Sequence, residues 1–352
     1  MGKDNYLEFE EEYHGKCSSK EERLEKKRIR KRDRSKYKKS NQKKEAAALD
    51  PDLKIGRVLS TRGQIIEVYS DHTLYECALK GSLKQEKGLE KNLVVIGDFV
   101  RFYPKIDEIS LIVHVDERLS VLSRRSSFKG HQEQMLAANI DQLFIVVSYR
   151  APSLKPSLID RYIIAARRGR INPIVVINKC DLMEESSEIE HLEATYQKLK
   201  IPFVKTSALT GRGLDTIKEL MALKASVFSG QSGTGKTSII NKLTGLDLSV
   251  REVVAKTQKG AHTTTAATLI PLENEAFLID TPGIKSFGMW DLDKSEVQNY
   301  FSEIKEVSFA CKFPNCSHSH EPGCAVKEAV DEGSISKLRF QSYLSLISSE
   351  DA

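Results

Sequence analysis

The order of two motifs restricts the fold of this chain more than any other feature of its sequence. The apolar run Pro173-Ile174-Val175-Val176-Ile177 ends in Asn178-Lys179-Cys180-Asp181, and a second run, Ile201-Pro202-Phe203-Val204-Lys205, ends in Thr206-Ser207-Ala208. Only afterwards come the run Ala225-Ser226-Val227-Phe228 and the glycine-rich loop Gly230-Gln231-Ser232-Gly233-Thr234-Gly235-Lys236-Thr237, followed by Asp280-Thr281-Pro282-Gly283. Each motif stands at the end of a strand-like run, so all of them belong to an α/β architecture with a parallel sheet.

The residue types carry specific chemistry. In the glycine-rich loop, positions without a Cβ let successive backbone N–H groups curl around a β-phosphate, Lys236 reaches β/γ oxygens, and the Thr237 hydroxyl ligates Mg²⁺. The same anion rests on the helix that begins near Ser238. Asp280 closes the run Ala276-Phe277-Leu278-Ile279, where a carboxylate at a strand tip holds Mg²⁺ through water while the Gly283 N–H faces the γ-phosphate. Asp181 offers two acceptor oxygens to the N1–H and exocyclic amine of guanine. Adenine would leave that carboxylate facing an acceptor, a mismatch worth about 10⁴ in discrimination. Asn178, Lys179, Ser207 and Ala208 complete the base-binding set. Together these are the parts of a GTPase, with base reading placed before phosphate reading.

A rotated order still folds if the old termini were neighbours. A strand at Ile140 to Ser148, helices near Ser157–Arg168, Ser187–Leu199 and Leu214–Leu223, and the strands bearing the motifs form successive βαβ units, with new ends just before Ile140 and after Gly283. The hydrolytic residue is less visible. A glutamine after the switch glycine would orient the attacking water, but Ile284 stands there and an apolar side chain has no such capacity. Slow intrinsic turnover is expected. His262, in Gly260-Ala261-His262-Thr263-Thr264-Thr265, is the candidate catalytic group, and Thr264 of that segment is a candidate Mg²⁺ ligand with Thr237 and Asp280.

Composition narrows the class. The chain has 352 residues and 40% apolar content, enough for two or three packed domains. Its N-terminus is too polar for a secretory signal and no apolar run reaches membrane-spanning length, so a cytoplasmic protein without membrane contact is expected. Net charge is +5, yet residues 15–44 hold 15 Lys or Arg against 4 Asp or Glu, a net of +11 that leaves the other residues at −6. That arm lacks apolar residues to bury and suits a polyanion, with counterion release supplying affinity without sequence specificity. From Lys54 to Val115 five short β-rich runs fit a small barrel of OB or SH3-like type, with Arg57, Arg62, Lys80, Lys84 and Arg101 as candidates for a nucleic-acid face. Near the end, Cys311, Cys316, His318 and Cys324 form a Cys₃His set that matches a closed tetrahedral zinc site, with His320 competing for the place of His318.

At this point the chain resembles a known family: the circularly permuted GTPases of the ribosome-small-subunit-dependent GTPase A family, RsgA or YjeQ. The likeness runs from about Leu53 to the C-terminus on the four nucleotide motifs, the Gly260–Thr265 segment and the cysteine cluster. The switch segment departs from the family's usual Gly-Arg-His-Thr-Thr at Ala261. The resemblance implies an OB-fold barrel, a P-loop GTPase domain of permuted motif order and a small zinc-binding module, with His318 as the fourth zinc ligand. It also implies late maturation of the small ribosomal subunit, with the subunit and its rRNA as partners. The corresponding division is a basic arm at 1–50, a barrel at 51–120, a GTPase domain at 121–288 and a zinc module at 289–352. One Zn²⁺ per chain, Mg²⁺ with GTP, GDP as product and a monomeric state are expected. Two other readings use the same motifs: an RNA-binding module that keeps GTP as a structural ligand, and a signalling GTPase with no RNA role.

Overall fold

The structure, a computed structural model, describes residues 51–81, 83, 93–105, 108–125, 133–183, 187–245, 268–280 and 294–348. The basic arm, Lys84, the Gly260–Thr265 segment and Thr281–Ile284 lie outside the described residues. Lys54–Ala352 forms one compact unit.

Five strands close a barrel in the order β1-β2-β3-β5-β4: β1 Lys54–Arg62, β2 Ile65–Ser70, β3 Thr73–Leu79, β4 Phe99–Tyr103 and β5 Ser110–Val115. The β3–β5 pair is parallel and the other pairings are antiparallel. That Greek-key closure is the OB arrangement, which resolves the choice between OB and SH3-like barrels. Strand alternation sends Val58, Val68, Val100, Phe102 and Ile112 into the barrel interior.

One barrel residue departs from expectation. Arg57 is buried, donates to the Asn139 carbonyl, and lies over the rings of Phe99 and Phe277 at 5.0 and 4.8 Å. Its guanidinium therefore joins the barrel to the next layer and is removed from a nucleic-acid face, because with Val58 inside the barrel, alternation puts Arg57 on the outer face, against Phe277. Arg101 is also engaged, with Asp116 at 3.0 Å, whereas Arg62 and Lys80 are exposed. A hairpin that the sequence reading did not anticipate, β6 Val121–Arg125 with β7 Glu133–Ala138, follows the barrel.

The second layer is a six-stranded sheet in the order β10-β9-β8-β11-β13-β12. Its strands are β8 Gln142–Ser148, β9 Asn172–Asn178, β10 Phe203–Lys205, β11 Ala225–Ser229, β12 Thr268–Pro271 and β13 Phe277–Asp280. All neighbours are parallel except the edge strand β12, which was not foreseen. Every residue of β8 and β11 is buried, as continuous apolar runs demand when helices cover both faces. Counted from β11 through β13 and then β8 to β10, the sheet order becomes second-third-first-fourth-fifth-sixth. The connectivity is rotated while the packing order is that of an uninterrupted GTPase sheet.

Four helices serve this sheet: α1 Pro156–Arg168, α2 Ser187–Lys198, α3 Leu214–Met221 and α4 Lys236–Thr244. Pro156 starts α1 where a missing N–H costs nothing, and Arg167 and Arg168 stand at its negative C-terminal end. Helix α1 is buried over most of its circumference: Ile159 and Ile163 join the sheet core while Ile164 joins a separate C-terminal core. That second core is built by α5 Lys294–Val297, α6 Ser302–Ser308, α7 Ala325–Asp331 and α8 Lys337–Ser348. Among the described residues no helix is long and apolar enough to cross a membrane.

Candidate nucleotide site and metal centre

Parallel order places the C-terminal tips of β11, β9 and β10 on one edge of the sheet, where α/β folds hold ligands. Asn178 ends β9 and acts as a strut among three motifs. Its Nδ2 donates to the Thr234 carbonyl at 2.8 Å, and its Oδ1 accepts from the Ala208 N–H at 3.1 Å. Both amide atoms are used, and the residue is buried. Lys179 follows in the left-handed region at φ 64° and donates to the Ala151 carbonyl. Asp181 lies exposed in the short turn Cys180–Leu182, with one carboxylate oxygen accepting from the Ser207 hydroxyl. Ser207 is itself fully buried, so the carboxylate is fixed in rotation while its other oxygen remains for a donor.

The loop between β11 and α4 has a backbone that only glycine tolerates at two points. Gly230 has φ 144° and a Cβ there would meet the Val146 carbonyl oxygen at 2.0 Å; Gly235 has φ 90° and a Cβ would meet Asn178 Nδ2 at 2.2 Å. Any side chain at Gly235 would break the Asn178 strut. Gln231, Ser232, Gly233 and Thr234 form the loop itself, with the Thr234 hydroxyl donating to the Gln231 carbonyl at 3.0 Å. Lys236 reaches back across it, its ammonium 2.8 and 2.6 Å from the Gly230 and Gln231 carbonyls. Thr237 and Ser238 stand exposed on the first turn of α4, whose free N–H groups favour an anion. Asp280 ends β13, next to β11. Gly283, His262 and Thr264 lie outside the described residues.

One contributor escaped the sequence reading. The segment after β8 packs against both halves of this edge: Ala151 receives the Lys179 ammonium, and Pro152 Cδ lies 3.7 Å from where a Gly233 Cβ would be. Its backbone turn, held by the Ser148 hydroxyl on the Pro152 carbonyl at 2.8 Å, has no glycine-rich signature.

The second site is the Cys₃His cluster. Cys311, Cys316, His318 and Cys324 bring their ligand atoms within 4.8 Å of one another. Cys311 Sγ is 3.6 Å from His318 Nδ1 and 3.9 Å from Cys324 Sγ, and Cys324 Sγ is 3.4 Å from His318 Nδ1. A tetrahedron around Zn²⁺ has edges of about 3.8 Å between sulfurs and about 3.5 Å between sulfur and nitrogen, so the donor set fits the ion. His318 Nε2 stands 3.1 Å from Gln298 Oε1, and an Nε2–H donated there leaves Nδ1 unprotonated toward the sulfurs. His320 is exposed and bonded to Ser319, outside the cluster. Burial pushes the Cys316 thiol up to about 12, so a cation is what would ionise it.

A buried polar network joins α1 and α2 to α6 and α8. Arg339 of α8, 2% exposed, pairs with Asp160 of α1 and with Glu303 of α6 at 2.7 Å, and lies 4.1 Å over the Phe301 ring. Tyr196 of α2 donates to Asp160 at 2.8 Å. Burial opposes the guanidinium charge, but Asp160 and Glu303 hold its pKa above the usual value. Asp160 sits amid the buried positions Ile159, Tyr162 and Ile163 of α1, and its partner Arg339 lies 179 positions away.

The family model for RsgA GTPase matches residues 115–290. A Bacteroides fragilis protein named small ribosomal subunit biogenesis GTPase RsgA is 38% identical over 301 residues, 84% of this chain and 97% of that protein. A protein of the same name from Chlorobaculum parvum is 40% identical over 269 residues, 74% of this chain and 86% of its own length. Among solved structures, YjeQ from Thermotoga maritima superposes with a TM-score of 0.68 at 30% identity, covering 84% of this chain and 97% of that one. YloQ, described as a circularly permuted GTPase, gives 0.67 at 25%, covering 85% and 95%. With the permuted sheet, the converging strand tips and these likenesses together, the chain belongs to the RsgA GTPase family.

Proposed function

We propose that this protein is a GTP-hydrolysing factor in biogenesis of the small ribosomal subunit. It docks on the late-maturing subunit through rRNA, turns GTP over slowly alone and faster when docked. The observation that carries the nucleotide assignment is the Asn178 strut, which binds the β9 tip to the phosphate-type loop and to the β10 tip. Base and phosphate halves are thereby held in one register although the chain encodes them in reversed order.

In this reading Asp181, oriented by Ser207, accepts from guanine. Gly230–Gly235 cradle the phosphates, Lys236 leaves its loop carbonyls for the β/γ oxygens, and the first turn of α4 with Thr237 and Ser238 faces the charge. Thr237, Thr264 and Asp280 are assigned to Mg²⁺, which when bound neutralises charge developing on the phosphate oxygens. Gly283 faces the γ-phosphate and His262 serves the attacking water. Cys311, Cys316, His318 and Cys324 hold one structural Zn²⁺, since a full ligand shell leaves no open position. The basic arm at 1–50 contacts rRNA, and the barrel, GTPase domain and zinc module divide as 51–120, 121–288 and 289–352. A cytoplasmic monomer suits this role.

The deciding measurement is GTP turnover by the full chain with and without purified small subunits. Stimulation by the subunit supports the reading. Tight RNA binding without stimulation would indicate a module that keeps GTP as a structural ligand, and neither effect would indicate a GTPase serving another process.

A further inference from the structure

The edge of the sheet opposite the nucleotide motifs holds a cavity of about 480 Å³. Four cationic residues line it, Arg167, Arg170, Lys200 and Lys224, and no carboxylate does. Arg170, Lys200 and Lys224 are exposed and make no salt bridge among the described residues. Asp141 lies outside the lining, and one of its carboxylate oxygens accepts from the Ala225 N–H at 2.7 Å. Arg167 is half-buried and donates to the Tyr300 carbonyl at 3.1 Å, so it forms a fixed back wall.

The backbone sets the three exposed cations in a row. Helices α1 and α2 end in the same turn: Ile171 N–H bonds to the Ala166 carbonyl and Ile201 N–H to the Tyr196 carbonyl, each five residues back, with Arg170 and Lys200 between them at φ 57°. That left-handed position ordinarily takes glycine, and here two long cations occupy it. Arg170 enters β9, Lys200 precedes β10 and Lys224 enters β11. In the order β10-β9-β8-β11 they span three strand spacings, roughly 14 Å, which suits a line of anions better than a single one. Several backbone phosphates of a helical strand fit that length, at roughly 3.4 Å of axis for each.

We propose that this cavity binds the phosphodiester backbone of RNA, giving the GTPase sheet an RNA-facing edge separate from its nucleotide edge. Naming RNA among polyanions rests on the ribosomal reading above. A cation at a helix C-terminus also complements the helix dipole, so the test reads binding and not stability alone.

The variant Arg170→Gly/Lys200→Gly/Lys224→Ala removes three charges while placing glycine where φ is positive, so the fold is retained. Binding of the full-length protein to purified small subunits and to a short RNA duplex is measured across a salt series. Each lost phosphate contact lowers the log–log slope by roughly 0.7 to 0.9. The expected result on both probes is a slope reduced by about 2 to 3, an affinity lowered tenfold or more at low salt, and unchanged GTP binding. Unchanged slope and affinity on the duplex overturn the proposal. A variant that loses subunit binding but holds the duplex normally overturns it too, since the edge then faces protein. If the wild type ignores subunits, the ribosomal reading fails, and the duplex slope still decides the proposal.

Discussion

The nucleotide edge and the Cys₃His module solve the same problem, holding polar groups in fixed geometry, by opposite means. At the nucleotide edge the residues proposed to hold the ligand stand at the ends of strands whose apolar bodies form the core. Asp181, Thr237 and Ser238 are exposed, while Ile177, Val227 and Ile239 beneath them are buried. In the module the ligands are the core: Cys316 and Cys324 belong to the same buried cluster as Phe301, Ile304 and Val326. Function and stability are therefore separable at the first site and inseparable at the second.

Metal removal tests that contrast with the largest effect. A structural Zn²⁺ contributes about 10 to 16 kcal/mol in small zinc domains, and the Cys ligands here belong to the module's own core. Chelation, or Cys316→Ser, should unfold the module while the sheet survives. Hydrogen exchange should show protection lost in residues 294–348 and retained in β8, β9 and β11. A fully protected module after chelation would place its stability in the helices and dissolve the contrast.

The reverse case is Asp181→Asn. It should lower GTP affinity by about 10⁴, the discrimination that a site built on such a hydrogen-bond acceptor provides, with a melting temperature within a degree or two of wild type. Calorimetric titration and thermal denaturation read the two quantities separately. Lys236→Ala should lose turnover in the same manner. Equal GTP affinity in the Asp181 variant would remove that residue from the site, and a large stability loss would show that the nucleotide edge is also core.

This separability governs what was legible in the sequence. Motifs at strand tips carry their chemistry in consecutive residues, so Asn178 to Asp181 and Gly230 to Thr237 stood out, and the buried strands beneath them read as apolar runs. The cysteine spacing was equally plain; it left His318 and His320 as competitors, the resemblance pointed to His318, and the fold places His318 with the three cysteines. Non-consecutive contacts gave no local signal. Arg57 looked like a surface cation of a barrel strand, yet tertiary packing buries it between Phe99 and Phe277. The β6–β7 hairpin and the edge strand β12 carried patterns too short to separate from loops. The Asp160–Arg339 link spans 179 positions and appears only when α8 meets α1.

That link is where the two regions meet, and its removal should have an intermediate effect. Arg339→Ala leaves Asp160 buried and uncompensated, a loss of about 3 to 5 kcal/mol when one partner of a buried pair is deleted. Two unfolding transitions should replace one in calorimetry if the link couples the halves, with GTP affinity preserved. The double variant Arg339→Met/Asp160→Asn, which deletes both charges, should recover part of the loss. If Arg339→Ala melts as a single transition at the wild-type temperature, the module is held to α1 by Ile164 and its apolar neighbours alone.

The smallest expected effect lies in the loop that carries His318. Glu321 accepts from the Ser317 hydroxyl and N–H, both at 2.7 Å, and from the Ser319 N–H at 3.1 Å, so it closes the turn around the ligand. The Ser317 hydroxyl bond first, with the backbone N–H bonds behind it, draws the carboxyl down to about 2 from an ordinary 4.5. A carboxylate depressed in the folded state adds stability above its unfolded pKa and loses it as pH falls toward the folded one. Glu321→Gln should therefore lower the melting temperature of the metal-loaded protein by no more than about 2 °C, since solvent screens this group. The gap between variant and wild type should hold from pH 7 to about pH 5 and narrow below 4.5. A gap that widens on acidification would mean that Glu321 is protonated more readily in the folded protein. The loop around His318 would then be held by its backbone and by Gln298 instead.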